Sequence, residues 1–238
     1  MKTIVNLILV SLLTVSVNML NAAPSIHENK VIDEKKASKT LEEAIEAFEN
    51  VMEDPLNSIP ENLIKESEGI VIFPDAFKIA FGCVGGQGAR GIAMIRKEDG
   101  SWSNPFIVTF GEGSLGFQLG IQSSDIILLF KDRNDIMEIV ESELTLGGDI
   151  SVVAGPVNRG YSSSTDVEFD AEVYSYAQSK GLFAGVCLHG GILSYNKDVN
   201  DALYGTYFVD MDEIFNEIET PYNEDISNLI ETVNRYGE

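Results

Sequence analysis

Side chains of the kinds that carry covalent chemistry are few in this sequence: two histidines, His27 and His189, and two cysteines, Cys83 and Cys187. Cys187 and His189 are two residues apart, which on a strand puts both on one face, so a thiolate–imidazole pair is the nucleophilic arrangement the spacing allows. No neighbouring residue supplies the third group that would orient the imidazole, and a lone histidine at a strand end ordinarily serves structure. The spacing of histidines and cysteines does not build a metal site either. Each cysteine lies among small residues in a strand-like run. Two readings of them stay open, buried free thiols or a Cys83–Cys187 disulfide in an oxidising compartment.

Two stretches match the G-x-G-x-x-G spacing of a dinucleotide loop, Gly86-Gly88-Gly91 and Gly111-Gly113-Gly116. Such a loop must open a helix whose N-terminus meets the pyrophosphate. Here Ile92–Ile95 and Phe117–Gly120 continue as strand-like sequence. The glycines are therefore expected to serve tight turns and close strand packing, without nucleotide. The formal charge of −22, from 16 basic and 38 acidic residues, excludes nucleic acid as a natural partner and opposes long-range attraction to an anionic bilayer.

The elements that must position these residues begin after an export signal. Lys2, the apolar run Ile4–Leu20 and the small residues Asn21-Ala22-Ala23 have the form of a cleaved secretory peptide, with cleavage near Ala22 or Ala23; a retained anchor is the alternative. Cleavage implies a periplasmic or extracellular product. Apolar residues at Ala37, Leu41, Ala44, Ile45, Phe48, Val51 and Met52 predict an amphipathic helix over Glu34–Glu53, stopped by Pro55. A short helix capped by Ser58 comes next, with Pro60 in its first turn and Gly69 at its end.

Short β-type runs then cover Ile70–Phe73, Ile79–Val84, Gly91–Ile95, Phe106–Phe110, Leu115–Ile121 and Ile126–Phe130, with Lys97-Glu98-Asp99-Gly100 as a hairpin turn. A helix at Asn134–Glu143 precedes strands at Ile150–Ala154, Val167–Gln178 and Leu182–Leu193. Helices at Asp198–Tyr204, Met211–Glu219 and Glu224–Arg235 close the chain. The last keeps Ile226, Leu229, Ile230 and Val233 at helical spacing, which predicts docking with an acidic outer face. The class is α+β: a single domain with a mainly antiparallel β core, a twisted or barrel-like sheet, flanked by helices. Its parts are the signal peptide at 1–23, an amphipathic helical region at 24–59, the β core at 60–205 and an acidic helical extension at 206–238.

The core resembles the SYLF domain, in its bacterial form. The carriers are Gly69-Ile-Val-Ile-Phe-Pro74, Phe81-Gly-Cys-Val-Gly-Gly86 with Gly88-Ala-Arg-Gly91, Phe117-Gln-Leu-Gly-Ile-Gln122 with Ser124-Asp125, Leu146-Gly-Gly-Asp149, Ala154-Gly-Pro156 through Arg159-Gly160, and Gly181-Leu-Phe-Ala-Gly185. The resemblance implies lipid binding without catalysis or cofactor. The ligand class would be phospholipid at a membrane surface; the alternative is an interaction or scaffolding module of the envelope with a protein partner. His189, Cys83 and Cys187 depart from the residues expected at their positions.

Against that background Arg90, Arg159, Asp125, Asp149 and Asp166 gain interest, because all fall in or beside strand-like runs. Buried charges need partners. Either these Arg and Asp residues pair with one another, or Arg90 and Arg159 hold a phosphate headgroup through bidentate donors. A third surface is the first helix, where Lys35, Lys36 and Lys39 precede the apolar stripe as in an interfacial helix. If Leu41, Ile45 and Phe48 insert, attachment is apolar and resists salt; the competing reading packs that stripe on the protein's own core.

Overall fold

The computed structural model describes residues 26–54, 58–156, 170–179, 182–183, 190–205 and 223–237. Helix α1 runs from Ile26 to Met52 and α2 from Glu61 to Glu66. Strands β1 (Gly69–Ile95) and β2 (Phe106–Phe130) form a long antiparallel hairpin. Then come α3 (Arg133–Glu141), β3 (Leu144–Leu146), β4 (Val152–Ala154), β5 (Val173–Ser179), β6 (Leu182–Phe183) and β7 (Gly191–Tyr195). Helices α4 (Lys197–Tyr204) and α5 (Glu224–Gly237) complete the described chain. The α+β class is as the sequence predicts, a mainly antiparallel sheet flanked by helices.

The six short runs read from the β-rich sequence are in fact two continuous strands. A straight strand of 27 residues at about 3.3 Å each would stretch about 90 Å, far beyond what a globule with a radius of gyration of about 18 Å can hold. The hairpin therefore has to bend. Register shifts between Phe73 and Ala76 and between Gly82 and Val84 supply the bends, since a bulge sharpens local twist. Asp75, at the first bulge, sits at φ 48°, a left-handed conformation unusual outside glycine.

Bending doubles β1 back so that its two ends lie side by side. Arg96 N donates to Glu68 O at 2.9 Å, and Glu68 N donates to Phe130 O at 2.9 Å. Gly91 is required by this closure: a Cβ there would lie 2.1 Å from Ile72 O and 2.5 Å from the Phe73 ring. Strand β2 presents its other edge to β5 over Asp125–Phe130 and to β7 over Val108–Gly111. Strands β3 and β4 extend the two sides, and the turn at Gly147 bridges Leu146 to Ile150. The sheet thus curls toward a barrel.

Apolar residues of β1, β2 and β5 fill the interior together with one side of each packed helix. Fully buried residues include Ile70, Ile72, Ile92, Phe106, Ile127, Leu129, Phe130 and Tyr176. Leu229 and Val233 of α5 join them, so the C-terminal helix docks as its spacing predicts. The Lys97–Gly100 turn is also as expected, closed by Gly100 N to Lys97 O at 2.9 Å with Gly100 at φ 85°.

Three local expectations are corrected. Helix α2 starts after Pro60, which is its N-cap with no side-chain capping bond, because a proline at that point already fixes the entry backbone. Its C-cap is Ser67, not Gly69. Helix α1 begins at Ile26, eight residues before the predicted start; the extra turns carry few apolar residues and so lack the periodic signal. The helix expected at 211–219 lies outside the described residues.

Candidate functional site

Helix α1 offers two faces. Ala37, Leu41, Ala44, Phe48 and Val51 recur every three or four residues and are all buried, so they form one stripe. Phe48 packs edge-on against Tyr236 of α5, with ring centroids 5.7 Å apart. Leu41 and Phe48 are wholly enclosed and Ile45 packs against the same core. This corrects their assignment as lipid-inserting residues: the stripe closes the protein's own interior, where Leu41 and Phe48 are already removed from solvent and have no apolar surface left to insert.

The opposite face begins with Ile32, Lys35, Lys36 and Lys39, spaced i, i+3, i+4, i+7 on one side of the helix. Lys36 Nζ pairs with Asp33 at 2.6 Å and Lys39 Nζ with Glu43 at 3.1 Å. Lys35 is exposed and takes part in no ion pair among the described residues. Val31 and Ile32 are 38% and 40% exposed. Sequence reading missed both, since they precede the predicted helix and lie off its apolar stripe. Further along, Glu42, Glu43 and Glu46 occupy this outer side, which confines the basic and apolar character to the first turns.

Arg90, on β1, meets α1 from below. Its Nε donates to Thr40 Oγ1 at 3.0 Å, and that hydroxyl donates to Lys36 O at 2.7 Å. Among the described residues Arg90 forms no ion pair. Asp125 instead accepts from Asp75 N at 2.9 Å, and Asp149 accepts from Thr145 N at 2.8 Å. Among the described residues neither carboxylate pairs with Arg90; both cap backbone donors, at a bulge and a turn. Burial, then the neighbouring Asp75, Glu46 and Glu43, raises the Asp125 carboxyl above its ordinary range. Arg159, Asp166, Cys187, His189 and the Cys83 side chain lie outside the described residues, and so does the question of a disulfide.

The glycine motifs sit in strands. Gly86 pairs with Gly113 and Gly88 with Gly111 across the hairpin, so no helix N-terminus comes after either set and the dinucleotide reading is excluded on geometry. Among the described residues no group of three or more His, Cys, Asp or Glu side chains is arranged to hold a metal, and no helix is long and apolar enough to cross a membrane.

Comparison with known proteins adds a family. The model of Ysc84, described as "Las17-binding protein actin regulator", matches residues 111–236. The chain belongs to the Ysc84 family. This is the SYLF-domain group that the glycine-rich motifs resemble, and its match runs through α5. SH3 domain-containing YSC84-like protein 1 of Bos taurus is 31% identical over 216 residues, covering 90% of this chain and 61% of the relative. The Homo sapiens protein of that name gives the same identity and coverage. LAS seventeen-binding protein 3 of Saccharomyces cerevisiae is 29% identical over 174 residues, 72% of this chain and 37% of the relative. The chain thus spans less than two thirds of the length of these Ysc84-family relatives. They are animal and yeast proteins, and lend no support to a bacterial origin.

Proposed function

We propose that this Ysc84-family chain is a non-catalytic lipid-binding module that acts at a membrane surface through the first turns of α1. The carrying observation is the exposed pair Val31 and Ile32 beside Lys35, on a helix whose remaining apolar stripe is buried. An amphipathic helix start of this kind suits the interface, with apolar side chains entering the headgroup layer and lysines toward lipid phosphates. Full burial of such a side chain contributes about 1.5–3 kcal/mol, and here more than half of each is already covered. A lysine near an anionic surface adds about 1 kcal/mol. The total is a few kcal/mol, so attachment is reversible and sensitive to salt, in contrast to the salt-resistant insertion that a lipid-facing Phe48 would give.

Export of the chain to the periplasm or the cell exterior is part of the same proposal, resting on Lys2, Ile4–Leu20 and Asn21-Ala22-Ala23. N-terminal sequencing of the purified protein checks it. Co-sedimentation with neutral and anionic vesicles tests the lipid reading. Anionic vesicles pellet the wild type, and Ile32→Asp releases it without lowering its melting temperature; equal pelleting by Ile32→Asp removes the reading.

A second reading has its own support. The family description names Las17 binding and actin regulation, and the relatives carry SH3 domains by name. A protein-interaction or scaffolding module with no lipid contact would show no vesicle binding and no lipid in native mass spectrometry.

A further inference from the structure

Asp125 lies on β2 at the first bulge of β1, close enough to α1 for Glu46 and Glu43 to act on it. Its carboxylate accepts from Asp75 N at 2.9 Å, and Asp75, held at φ 48°, accepts in turn from Ser123 Oγ at 3.0 Å. The charges acting on Asp125 are negative: Asp75 from β1, then Glu46 and Glu43 from α1. Lys39 of α1 is already held by Glu43 at 3.1 Å, and Lys78 lies three residues beyond Asp75 on β1.

On the other side of β2 the facing residue carries no charge. Gln178 of β5 is the register partner of Asp125, and directly opposed residues of an antiparallel pair share a face, with Cβ atoms about 4.5–5.5 Å apart. Gln178 Oε1 is buried and receives no hydrogen bond among the described residues. A buried acceptor without a donor carries a desolvation penalty.

The two residues are chemically matched in one protonation state only. An ionised Asp125 has nothing to donate, whereas the protonated carboxyl has one O–H and keeps an acceptor oxygen. Burial is the largest influence toward the protonated form, and the charges of Asp75, Glu46 and Glu43 add to it; the hydrogen bond from Asp75 N opposes them. The shared face thus joins a carboxyl that favours its proton to an amide oxygen that lacks one.

We propose that Asp125 and Gln178 form a proton-operated clasp beside α1. In acid one carboxyl oxygen accepts from Asp75 N while the other donates to Gln178 Oε1, which ties the bulge of β1 to β2 and β5. As pH rises the proton leaves to solvent, the bond to Gln178 is lost, and the new charge repels Glu43 and Glu46. Helix α1 is then held less firmly over the sheet. The sign follows from the raised folded value: the stability is present in acid and is lost as pH rises through that value. The clasp is independent of the lipid reading, since Val31, Ile32 and Lys35 lie about two turns or more upstream of Glu43.

The test follows amide hydrogen exchange of Leu41, Ala44 and Phe48 in the full chain between about pH 4 and 8, corrected for the intrinsic pH dependence of exchange. Protection in the wild type should fall by about tenfold across that range, because a shift of one unit in a carboxyl is a tenfold change in the equilibrium it drives. Asp125→Asn, whose amide donates at every pH, should keep the acid level throughout. Gln178→Met removes the acceptor at nearly constant volume, and in that background Asp125→Asn should lose most of its gain at neutral pH. Gln178→Asn, which shortens the amide, replaces it if melting shows that the methionine variant does not fold. Asp135→Asn is the control: burial also raises that carboxyl, on α3, and its removal should leave the pH dependence of α1 unchanged. Exchange of α1 that ignores pH in the wild type overturns the clasp. An equal gain from Asp125→Asn with and without the Gln178 amide assigns the effect to charge alone and overturns it too, as does loss of the pH dependence in Asp135→Asn.

Discussion

Replacing Phe48 with alanine separates a core residue from a membrane anchor. The side chain is 0% exposed and meets Tyr236 edge-on at 5.7 Å and 72°. Removing a buried phenylalanine ring costs about 3–5 kcal/mol through lost transfer energy and the cavity left behind, with roughly 0.5–1.5 kcal/mol of that from the aromatic pair. Against a total stability of about 5–15 kcal/mol, that is a large fraction. With a urea slope near 3 kcal/mol per molar, the unfolding midpoint should fall by about 1–2 M. The assay pairs urea unfolding by circular dichroism with vesicle pelleting under conditions where the variant remains folded. Phe48→Ala should be much less stable yet pellet like the wild type. An unchanged midpoint together with lost pelleting would refute the packing of α1 against the core and return Phe48 to the lipid.

Gly91→Ala should destabilise by about 3 kcal/mol or more, because the added Cβ collides with the Ile72 backbone oxygen, which cannot rotate away; thermal melting checks it, and a wild-type melting temperature contradicts the doubled-back β1. Arg90→Ala should cost about 1.5–3 kcal/mol by removing the charged donor to Thr40, with little effect on vesicle binding; the reverse pattern would make Arg90 a headgroup ligand. For Asp125, the folded carboxyl titrates above its ordinary value, so the stability it contributes is present in acid and is lost as pH rises through the raised folded value. Asp125→Asn, which keeps an acceptor for Asp75 N, should raise the melting temperature at neutral pH and flatten its dependence in the mildly acidic range. A lower melting temperature at neutral pH would show that the carboxylate is favoured there.

Local periodicity made several elements readable. The stripe from Ala37 to Met52 declared a helix with one apolar face, and Ile226, Leu229 and Val233 declared another, because the 3.6-residue period is a property of the chain itself. The Lys97–Gly100 turn was equally local. The glycine motifs were separable from nucleotide loops for the same reason, since each leads into strand-like sequence.

Whether an amphipathic face meets core or membrane is not a local property. Leu41 and Phe48 have the spacing of an interfacial helix, and only the barrel packed beneath them turns that stripe inward, leaving Val31 and Ile32 at the start of the helix as the exposed apolar pair. The same limit held for charges: Arg90 and Asp125 looked like partners because both are strand charges, yet the bend of β1 delivers Arg90 to Thr40 and Asp125 to the Asp75 amide. The sequence determines which faces each segment offers and what charge each residue carries; the closure of β1 on itself, through Gly91 against Ile72 and Arg96 against Glu68, determines which of those faces meet, because the approach of residues far apart in the chain depends on every bend between them.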